Sequence, residues 1–227
     1  MPYYSEKLSA ERLKRCYDLA PPAVVRYLRA ETDHVRSCLT PGMRILELGC
    51  GYGRAMKEIA GADWQVVGID LSIDSLLLGR RYLEGAKNVA LARMNAVDPA
   101  FQPGSFDLVL GIQNGLSAFG VDAKALLRAA AGVAKPGGTL LFSSYAAEFW
   151  EDRLHWFRLQ AEEGLLGEID EAATGNGAIA CRDGFRATTF GPDDFLGLAR
   201  DCGFEAEVTT VGGSSLFCEM IVPVSEA

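Results

Sequence analysis

The segment that most constrains this chain is an apolar run that ends in three closely spaced glycines. Residues 45–53 read ILELGCGYG, and an acidic residue, Asp70, follows one helix and one strand later. Such a run predicts a β-strand, a tight turn that uses the positive φ available to glycine, and a helix whose first N–H groups are unpaired. A carboxylate at the end of the next strand can accept hydrogen bonds from ribose hydroxyls. The pattern therefore predicts a nucleoside-binding site on an α/β sheet.

The glycine spacing narrows the choice of nucleoside. Dinucleotide-binding turns carry Gly-x-Gly-x-x-Gly, whereas here Gly49, Gly51 and Gly53 alternate and Arg54 stands where the third glycine would be. The run ELGCGYG, residues 47–53, resembles the first motif of the class I S-adenosylmethionine-dependent methyltransferases. The ligand of that family carries an ammonium group and no diphosphate, and Glu47 would suit an ammonium.

Motifs further along the chain strengthen this resemblance, which covers most of residues 43–144 and, more weakly, residues 190–222. Residues 67–72, VGIDLS, resemble the second motif, in which the acid binds the ribose, and residues 135–138, KPGG, resemble the turn before the fifth strand. The family often has Asp at the position of Asn95, where the amide retains an acceptor oxygen but not the charge.

The resemblance implies S-adenosylmethionine as the cofactor. The end of the fourth strand is predicted to bring Gln113 near the methionine moiety, because ligands of such sheets collect beyond the carboxyl ends of the strands. The cofactor-binding residues predicted in this way are Glu47, Gly49, Cys50, Gly51, Gly53, Asp70, Leu71, Asn95, Ala96 and Gln113.

Strand and helix patterns alternate along most of the chain. They predict an α/β fold with a doubly wound, mostly parallel seven-stranded sheet and an antiparallel edge strand. A length of 227 residues fits one domain. Its predicted parts are an N-terminal helical flank at 1–42, a cofactor-binding core at 43–144, an insertion at 145–191, and a C-terminal helix with closing strands at 192–227.

The insertion is the stretch that the alternation does not explain. It holds a predicted helix at 148–163, an acidic stretch and a hairpin signal at Asp183-Gly184. A long excursion in a compact domain is usually functional or disordered, and the dense aromatic residues of this one favour order. We hypothesise a lid over the methyl acceptor, with the N-terminal helices closing the other side. The aromatic residues could instead only pack the lid on the sheet, and the acids could be solvated or attract a cationic acceptor.

Methyl transfer from a sulfonium requires alignment and exclusion of water, and no protein nucleophile or metal. No catalytic residue is predicted, because His155 falls on the polar face of the insertion helix. Asn114 and Tyr145, which follow the fourth and fifth strands, are predicted to lie near the acceptor, although Tyr145 could equally be a packing residue. Tyr3, Tyr4 and Tyr17 either fold over the cofactor or only pack. These assignments leave the methylated atom open.

Composition disfavours several kinds of partner. A net charge of −8 argues against binding to a nucleic-acid backbone. The six cysteines lie at 16, 38, 50, 181, 202 and 218, without metal-ligand spacing. No signal region or long apolar run occurs, so a soluble, cytoplasmic protein with a small-molecule acceptor and no membrane partner is expected. The oligomeric state does not follow from these observations.

Other interpretations stay open at this point. The chain could be a catalytically silent partner subunit that binds S-adenosylmethionine. It could also be an NAD-dependent oxidoreductase, which Arg54 in the glycine turn disfavours. A thiol or arsenical acceptor is conceivable, but the scattered cysteines give it no support.

Overall fold

The computed structural model describes Tyr3 and residues 7–224. Its strands are β1 (Arg44–Leu48), β2 (Gln65–Asp70), β3 (Val89–Arg93), β4 (Phe106–Gly111), β5 (Ala134–Tyr145), β6 (Ile179–Ala180), β7 (Arg186–Ala187), β8 (Glu205–Val211) and β9 (Ser215–Ile221). The described helices are α1 (Ala10–Asp18), α2 (Pro22–Ser37), α3 (Arg54–Ile59), α4 (Ile73–Tyr82), α5 (Gly115–Ala118), α6 (Ala123–Val133), α7 (Trp150–Glu162) and α8 (Pro192–Cys202).

A seven-stranded sheet forms the centre of the described chain, in the order β3-β2-β1-β4-β5-β9-β8. The first five strands of this order pair in parallel. β9 runs antiparallel to both β5 and β8, so the hairpin of β8 and β9 closes one edge of the sheet. The doubly wound, mostly parallel fold predicted from the sequence is confirmed. The strand order reverses between β1 and β4, where the carboxyl ends of neighbouring strands diverge into a crevice.

Local signals in the sequence explain where several helices begin. The Ser72 hydroxyl caps α4 by accepting a hydrogen bond from the Ser75 N–H at 3.2 Å, and Asp122 caps α6 by accepting from the Lys124 N–H at 3.0 Å. Side chains of this type replace hydrogen-bond partners that the first helical turn lacks. β5 starts at Ala134, ahead of the KPGG turn predicted to precede the fifth strand, because Ala134 already pairs with Phe106 across an irregular register.

The insertion and the N-terminal flank share a hydrophobic cluster of their own. Buried residues of the flank, such as Tyr27 and Leu28, pack there with Phe157, Ile179 and Phe185 of the insertion. The predicted hairpin is present as β6 and β7. Polar contacts join the two segments as well. The cluster is separate from the two that line the sheet.

Two hydrogen-bond sets fasten α1 to the insertion. The Trp156 indole N–H donates to the Cys16 carbonyl at 2.9 Å. The Arg12 guanidinium donates to the carbonyls of Gly164 at 2.8 Å and Leu165 at 2.9 Å. Helix α1 and the end of α7 therefore form one connected cap over the carboxyl edge of the sheet.

The insertion helix is buried on more than one face. Leu154 and Phe157 are buried, and so are Arg153, Trp156 and Gln160. The helix packs against more than one neighbour, which a single-face pattern does not anticipate. His155 is exposed, in agreement with its predicted polar face. No helix within the described residues is long and apolar enough to cross a membrane.

Two glycine-to-alanine variants test the packing of the sheet. Gly111 at the end of β4 lies beside Phe142, and an added Cβ would overlap that buried ring. We expect Gly111→Ala to lower the free energy of unfolding by about 1–3 kcal/mol, the usual cost of overpacking a core. Gly132 in α6 has open space around its would-be Cβ, so Gly132→Ala should raise stability by about 0.5–1 kcal/mol. Urea denaturation of both variants checks the pair, and equal effects would contradict the packing.

Candidate functional site

A cavity of about 400 Å³ lies at the point where the strand order reverses. The glycine turn after β1, the end of β2 and the end of β4 form one wall. Helix α1, the end of β5 and helix α7 form the opposite wall. The residues predicted from the sequence that line it are Glu47, Gly49, Cys50, Gly51, Asp70, Leu71, Asn95, Ala96, Gln113 and Tyr145.

Two predicted site residues do not line the cavity. Gly53 sits at the N-cap of α3 with φ of 81°, and an added Cβ there would meet the Leu83 side chain. Asn114 is buried, its amide N–H donating to the Thr188 carbonyl at 2.8 Å and its amide oxygen accepting from the Ser144 hydroxyl at 3.0 Å. The expectation that Asn114 faces the acceptor is therefore corrected, because both ends of its amide are occupied by protein groups.

Asp70 fixes the glycine turn against the end of β2. One carboxylate oxygen accepts from the Gly51 N–H at 2.9 Å, and the other accepts from the Ser72 N–H at 2.7 Å. Burial raises the pKa of Asp70 and these N–H donors oppose that shift. Since a carboxylate oxygen can accept more than one hydrogen bond, both oxygens retain capacity for ligand hydroxyls.

Glu47 and Arg54 bring an acid and a base with open hydrogen-bonding positions into the cavity. Glu47 is 5% exposed, and burial raises its pKa to about 8, although the nearby Arg54 charge lowers it. Oε2 of Glu47 and Nε and Nη2 of Arg54 are buried without a hydrogen-bond partner among the described residues. The Arg54 guanidinium lies over the Tyr17 ring, 5.0 Å from its centroid. A ligand with an ammonium and a carboxylate would complement both groups.

A buried acid that the sequence analysis did not single out shapes the end of β4. Glu31 of α2 is fully buried, and it accepts from the Gln113 N–H at 3.0 Å and from the Ser215 hydroxyl at 2.6 Å. Burial raises the pKa of Glu31, and the serine hydroxyls lower it. Gln113 has a left-handed φ of 57°, and its side-chain oxygen accepts from the Tyr17 hydroxyl at 2.8 Å. Glu31 thus joins the N-terminal flank to two strands.

Helices α1 and α7 contribute aromatic groups to the cavity. Tyr17 and Trp156 line it with ring centroids 5.9 Å apart, so Tyr17 does lie over the site. Tyr3 packs on the hairpin instead, with its hydroxyl donating to Asp183 at 2.5 Å, and Tyr4 lies outside the described residues. Tyr145 is stacked on Tyr27 at 4.9 Å. Lining residues that the sequence analysis did not assign to the site include Arg54, Ser75, Phe119 and Gln160.

The acidic stretch of the insertion faces away from the cavity. Glu163, Glu168 and Glu171 are exposed and form ion pairs with arginines at 3.0–3.1 Å. None of them lines the cavity. The interpretation that they are solvated surface acids fits this placement, and they bring no charge to a bound acceptor.

The cysteines near the cavity do not form a metal or arsenical site. Cys16 and Cys50 both line it, but no described group of three His, Cys, Asp or Glu side chains could hold a metal ion. Burial raises the pKa of Cys16 to about 12, so its thiol stays protonated at neutral pH. The structure therefore lends no support to an arsenical acceptor.

Comparisons with known proteins agree with the geometry. Residues 45–138 match a family model described as a methyltransferase domain. Over 106 residues the chain is 37% identical to the ubiquinone biosynthesis O-methyltransferase of Xanthomonas campestris pv. campestris, covering 46% of this chain and 44% of that protein. Over 146 residues it is 30% identical to the arsenite methyltransferase of Aquipseudomonas alcaligenes, covering 59% and 40%. The chain spans less than half the length of these curated relatives.

A solved structure extends the similarity over most of the chain. The crystal structure of an S-adenosylmethionine-dependent methyltransferase from Methanosarcina mazei superimposes with a TM-score of 0.62. The match covers 85% of this chain and 97% of that one at 20% sequence identity. This similarity concerns the fold.

The raised pKa of Glu47 predicts a pH-dependent stability for the unliganded protein. The folded state holds a proton that the unfolded state releases above its ordinary pKa of 4.5, so the contribution to stability is complete below pH 4.5 and is lost as the pH rises to about 8. Between pH 4.5 and about 8, the free energy of unfolding of the neutral variant Glu47→Gln should therefore rise relative to that of the wild type by at least about 1 kcal/mol. One unit of pKa shift is worth about 1.4 kcal/mol. Urea denaturation across this pH range measures the difference. The exposed Glu58→Gln is the control, and parallel curves for Glu47→Gln and the wild type would contradict the burial of the charge.

Proposed function

We propose that the chain is a class I S-adenosylmethionine-dependent methyltransferase and that it transfers a methyl group from this cofactor to a small-molecule acceptor. The observation that supports the proposal most is the pair of open, buried groups on Glu47 and Arg54 beside Asp70. A ligand that joins a zwitterionic amino-acid group to a ribose offers an ammonium, a carboxylate and hydroxyls. These groups complement Glu47, Arg54 and Asp70, respectively. A nicotinamide dinucleotide would leave the Glu47 carboxylate facing phosphates.

We assign the protein groups that would hold the cofactor as follows. Glu47 would accept from the ammonium, Arg54 would donate to the carboxylate, and Asp70 would accept from the ribose hydroxyls. Asn95, whose amide oxygen already accepts from the Val97 N–H at 3.2 Å, would meet the adenine with Ala96. Bound S-adenosylmethionine supplies a sulfonium that activates its methyl group for displacement.

The remaining work of the protein is to position the acceptor and exclude water. Tyr17 and Gln113 are held together by their hydrogen bond, so the wall next to the cofactor is preorganised. Trp156 is fixed by its bond to the Cys16 carbonyl. The connected cap of α1 and α7 suits exclusion of solvent, which supports the hypothesis that the insertion is a lid over the acceptor. No base is assigned, because His155 is exposed away from the cavity.

A small acceptor is favoured over a macromolecule. The cavity is covered by α1 and α7, whereas a duplex would require an open, basic surface, and the net charge is −8. The relatives named above are an O-methyltransferase of ubiquinone biosynthesis and an arsenite methyltransferase, and the missing thiol cluster makes oxygen the better candidate for the methylated atom here. A cytoplasmic location remains a prediction from the sequence.

The alternative from a different class is a partner subunit that binds the cofactor without turnover. An active methyltransferase and a silent subunit would both bind S-adenosylmethionine, so binding alone does not distinguish the two functions. Formation of S-adenosylhomocysteine in the presence of an acceptor separates them, because a silent subunit would produce none above the rate without enzyme.

Cofactor binding should stabilise the protein selectively. S-Adenosylhomocysteine at about 100 times its dissociation constant should add about 2.7 kcal/mol to the free energy of unfolding, which corresponds to a rise in Tm of roughly 5–10 °C for a chain of this size. NAD at the same concentration should leave the Tm unchanged, since the turn lacks the dinucleotide spacing. Differential scanning fluorimetry measures both. Stabilisation by NAD alone would overturn the cofactor assignment.

The ribose contact is tested by Asp70→Asn, which keeps the shape of the side chain and one of the two oxygens that accept from the Gly51 and Ser72 N–H groups. We expect the affinity for S-adenosylhomocysteine to fall about 10- to 100-fold, because hydrogen bonds to a charged group are worth about 1.5–3 kcal/mol. Asp74→Asn, at an exposed position in the first turn of α4, is the matched control. Isothermal titration calorimetry gives the affinities, with circular dichroism to verify folding. An unchanged affinity in folded Asp70→Asn would remove Asp70 from the site.

A further inference from the structure

The wall of the cavity opposite the glycine turn has a composition of its own. We call it the acceptor wall, and it comprises Leu8, Leu13, Cys16, Tyr17, Leu28, Tyr145, Trp156, Phe157 and Gln160. It contains aliphatic and aromatic side chains, and none of these residues is an acid or a base of the Asp, Glu, Lys, Arg or His type. The charged lining groups Glu47, Arg54 and Asp70 all belong to the opposite wall.

Three polar side-chain groups of the acceptor wall are already engaged. The Cys16 thiol donates to the Arg12 carbonyl at 3.3 Å, the Tyr17 hydroxyl donates to Gln113, and the Trp156 indole N–H donates to the Cys16 carbonyl. These bonds hold the aromatic rings in place. They leave little capacity for a ligand.

Besides the Tyr145 hydroxyl, Gln160 carries the wall's remaining polar side-chain group. Its side chain is 3% exposed and lines the cavity, and its amide forms no hydrogen bond with any other described residue. It lies one helical turn beyond Trp156 and Phe157, which places the three on the same face of α7. Neither of its amide atoms is among the fully buried side-chain atoms of the described residues that are left without a partner, so the amide reaches the open space of the cavity. Its donor and acceptor therefore face a position that a polar ligand group would fill.

The aromatic rings around this position are rigidly arranged. Trp156 packs against Tyr17 with centroids 5.9 Å apart and edge-on against Phe157 at 5.8 Å. Tyr145 is stacked on Tyr27 at 4.9 Å. Such surfaces favour flat molecules that make offset-stacked or edge-to-face contacts.

We propose that the acceptor is a neutral, planar molecule whose hydroxyl or carbonyl group is bound by Gln160 while its ring packs on the acceptor wall. This inference rests on the function proposed above and names the substrate class for that site. An amide matches a neutral hydroxyl or carbonyl because it both donates and accepts. A cationic acceptor would find no acid on this wall. An anionic acceptor would find no base of the wall itself, and the Arg54 guanidinium, 5.0 Å from the Tyr17 ring centroid, is assigned to the cofactor carboxylate.

Neighbouring charges outside the wall do not change this expectation. Arg12 donates to the carbonyls of Gly164 and Leu165, and Arg15 pairs with Glu163 at 3.1 Å on the surface. The acids Glu163, Glu168 and Glu171 of the insertion are exposed. The acceptor wall is thus neutral on the side where the second substrate would bind.

The experiment uses the full chain saturated with S-adenosylhomocysteine and three probes that share one ring system. These are 2-naphthol, naphthalene-2-carboxylate and (naphthalen-2-yl)methylammonium, each titrated by isothermal titration calorimetry. We expect 2-naphthol to bind at least tenfold more tightly than either charged probe. Tighter binding of a charged probe, or no binding of 2-naphthol, would overturn the inference. Failure of S-adenosylhomocysteine to bind is a separate result that would overturn the proposed function.

Variants of Gln160 give the second arm. Gln160→Leu preserves the volume and removes both hydrogen-bonding groups, so its affinity for 2-naphthol should fall roughly tenfold while its affinity for S-adenosylhomocysteine stays within twofold. Gln160→Glu should bind 2-naphthol more weakly and the ammonium probe more tightly than the wild type does. His155→Leu, at an exposed position on the same helix, is the control. Unchanged 2-naphthol binding by folded Gln160→Leu would show that the amide meets only solvent and would refute its role.

Discussion

The reversal of strand order between β1 and β4 is the constraint on which the rest of this structure depends. Crossovers between parallel strands are right-handed, so the chain winds outward from β1 in one direction through β2 and β3 and in the other through β4 and β5. The loops that leave β1 and β4 therefore part at the carboxyl edge. The glycine turn and Gln113 lie on either side of the resulting crevice, where one ligand can contact both.

Three buried or partly buried acids lie at this edge and differ in how their hydrogen bonds are satisfied. Asp70 binds two backbone N–H groups and holds the glycine turn. Glu31 is satisfied by Gln113 and Ser215 and joins the flank to β4 and β9. Glu47 alone keeps an open oxygen in the described structure, at the cost of a raised pKa. A protein tolerates an unsatisfied buried acid where a ligand completes its hydrogen bonds, which is why Glu47 marks the site and Glu31 does not.

The parts of the site that could be predicted from the sequence are those that lie within one local motif. The glycine turn and Asp70 follow from a strand, a turn and a strand end close together in the chain, and the structure places them on one wall of the cavity. Asn114 was misplaced because its amide bonds to the Thr188 carbonyl and the Ser144 hydroxyl, partners far away in the chain. Gln160 and Glu31 occupy helical positions whose burial depends on partners far away in the chain, which no local pattern contains.

By itself, the sequence determined the α/β alternation, the glycine turn, the acid at the end of β2 and the position of an insertion that does not belong to the repeating pattern. These features depend on backbone conformation and on the period of apolar residues, which are properties of short segments. Only the tertiary structure decided which polar groups are left open in the cavity, since a group is open or satisfied according to contacts between distant segments. Tyr17 meeting Gln113, Trp156 meeting Cys16 and Gln160 meeting no described partner are all outcomes of how α1 and α7 pack over the sheet.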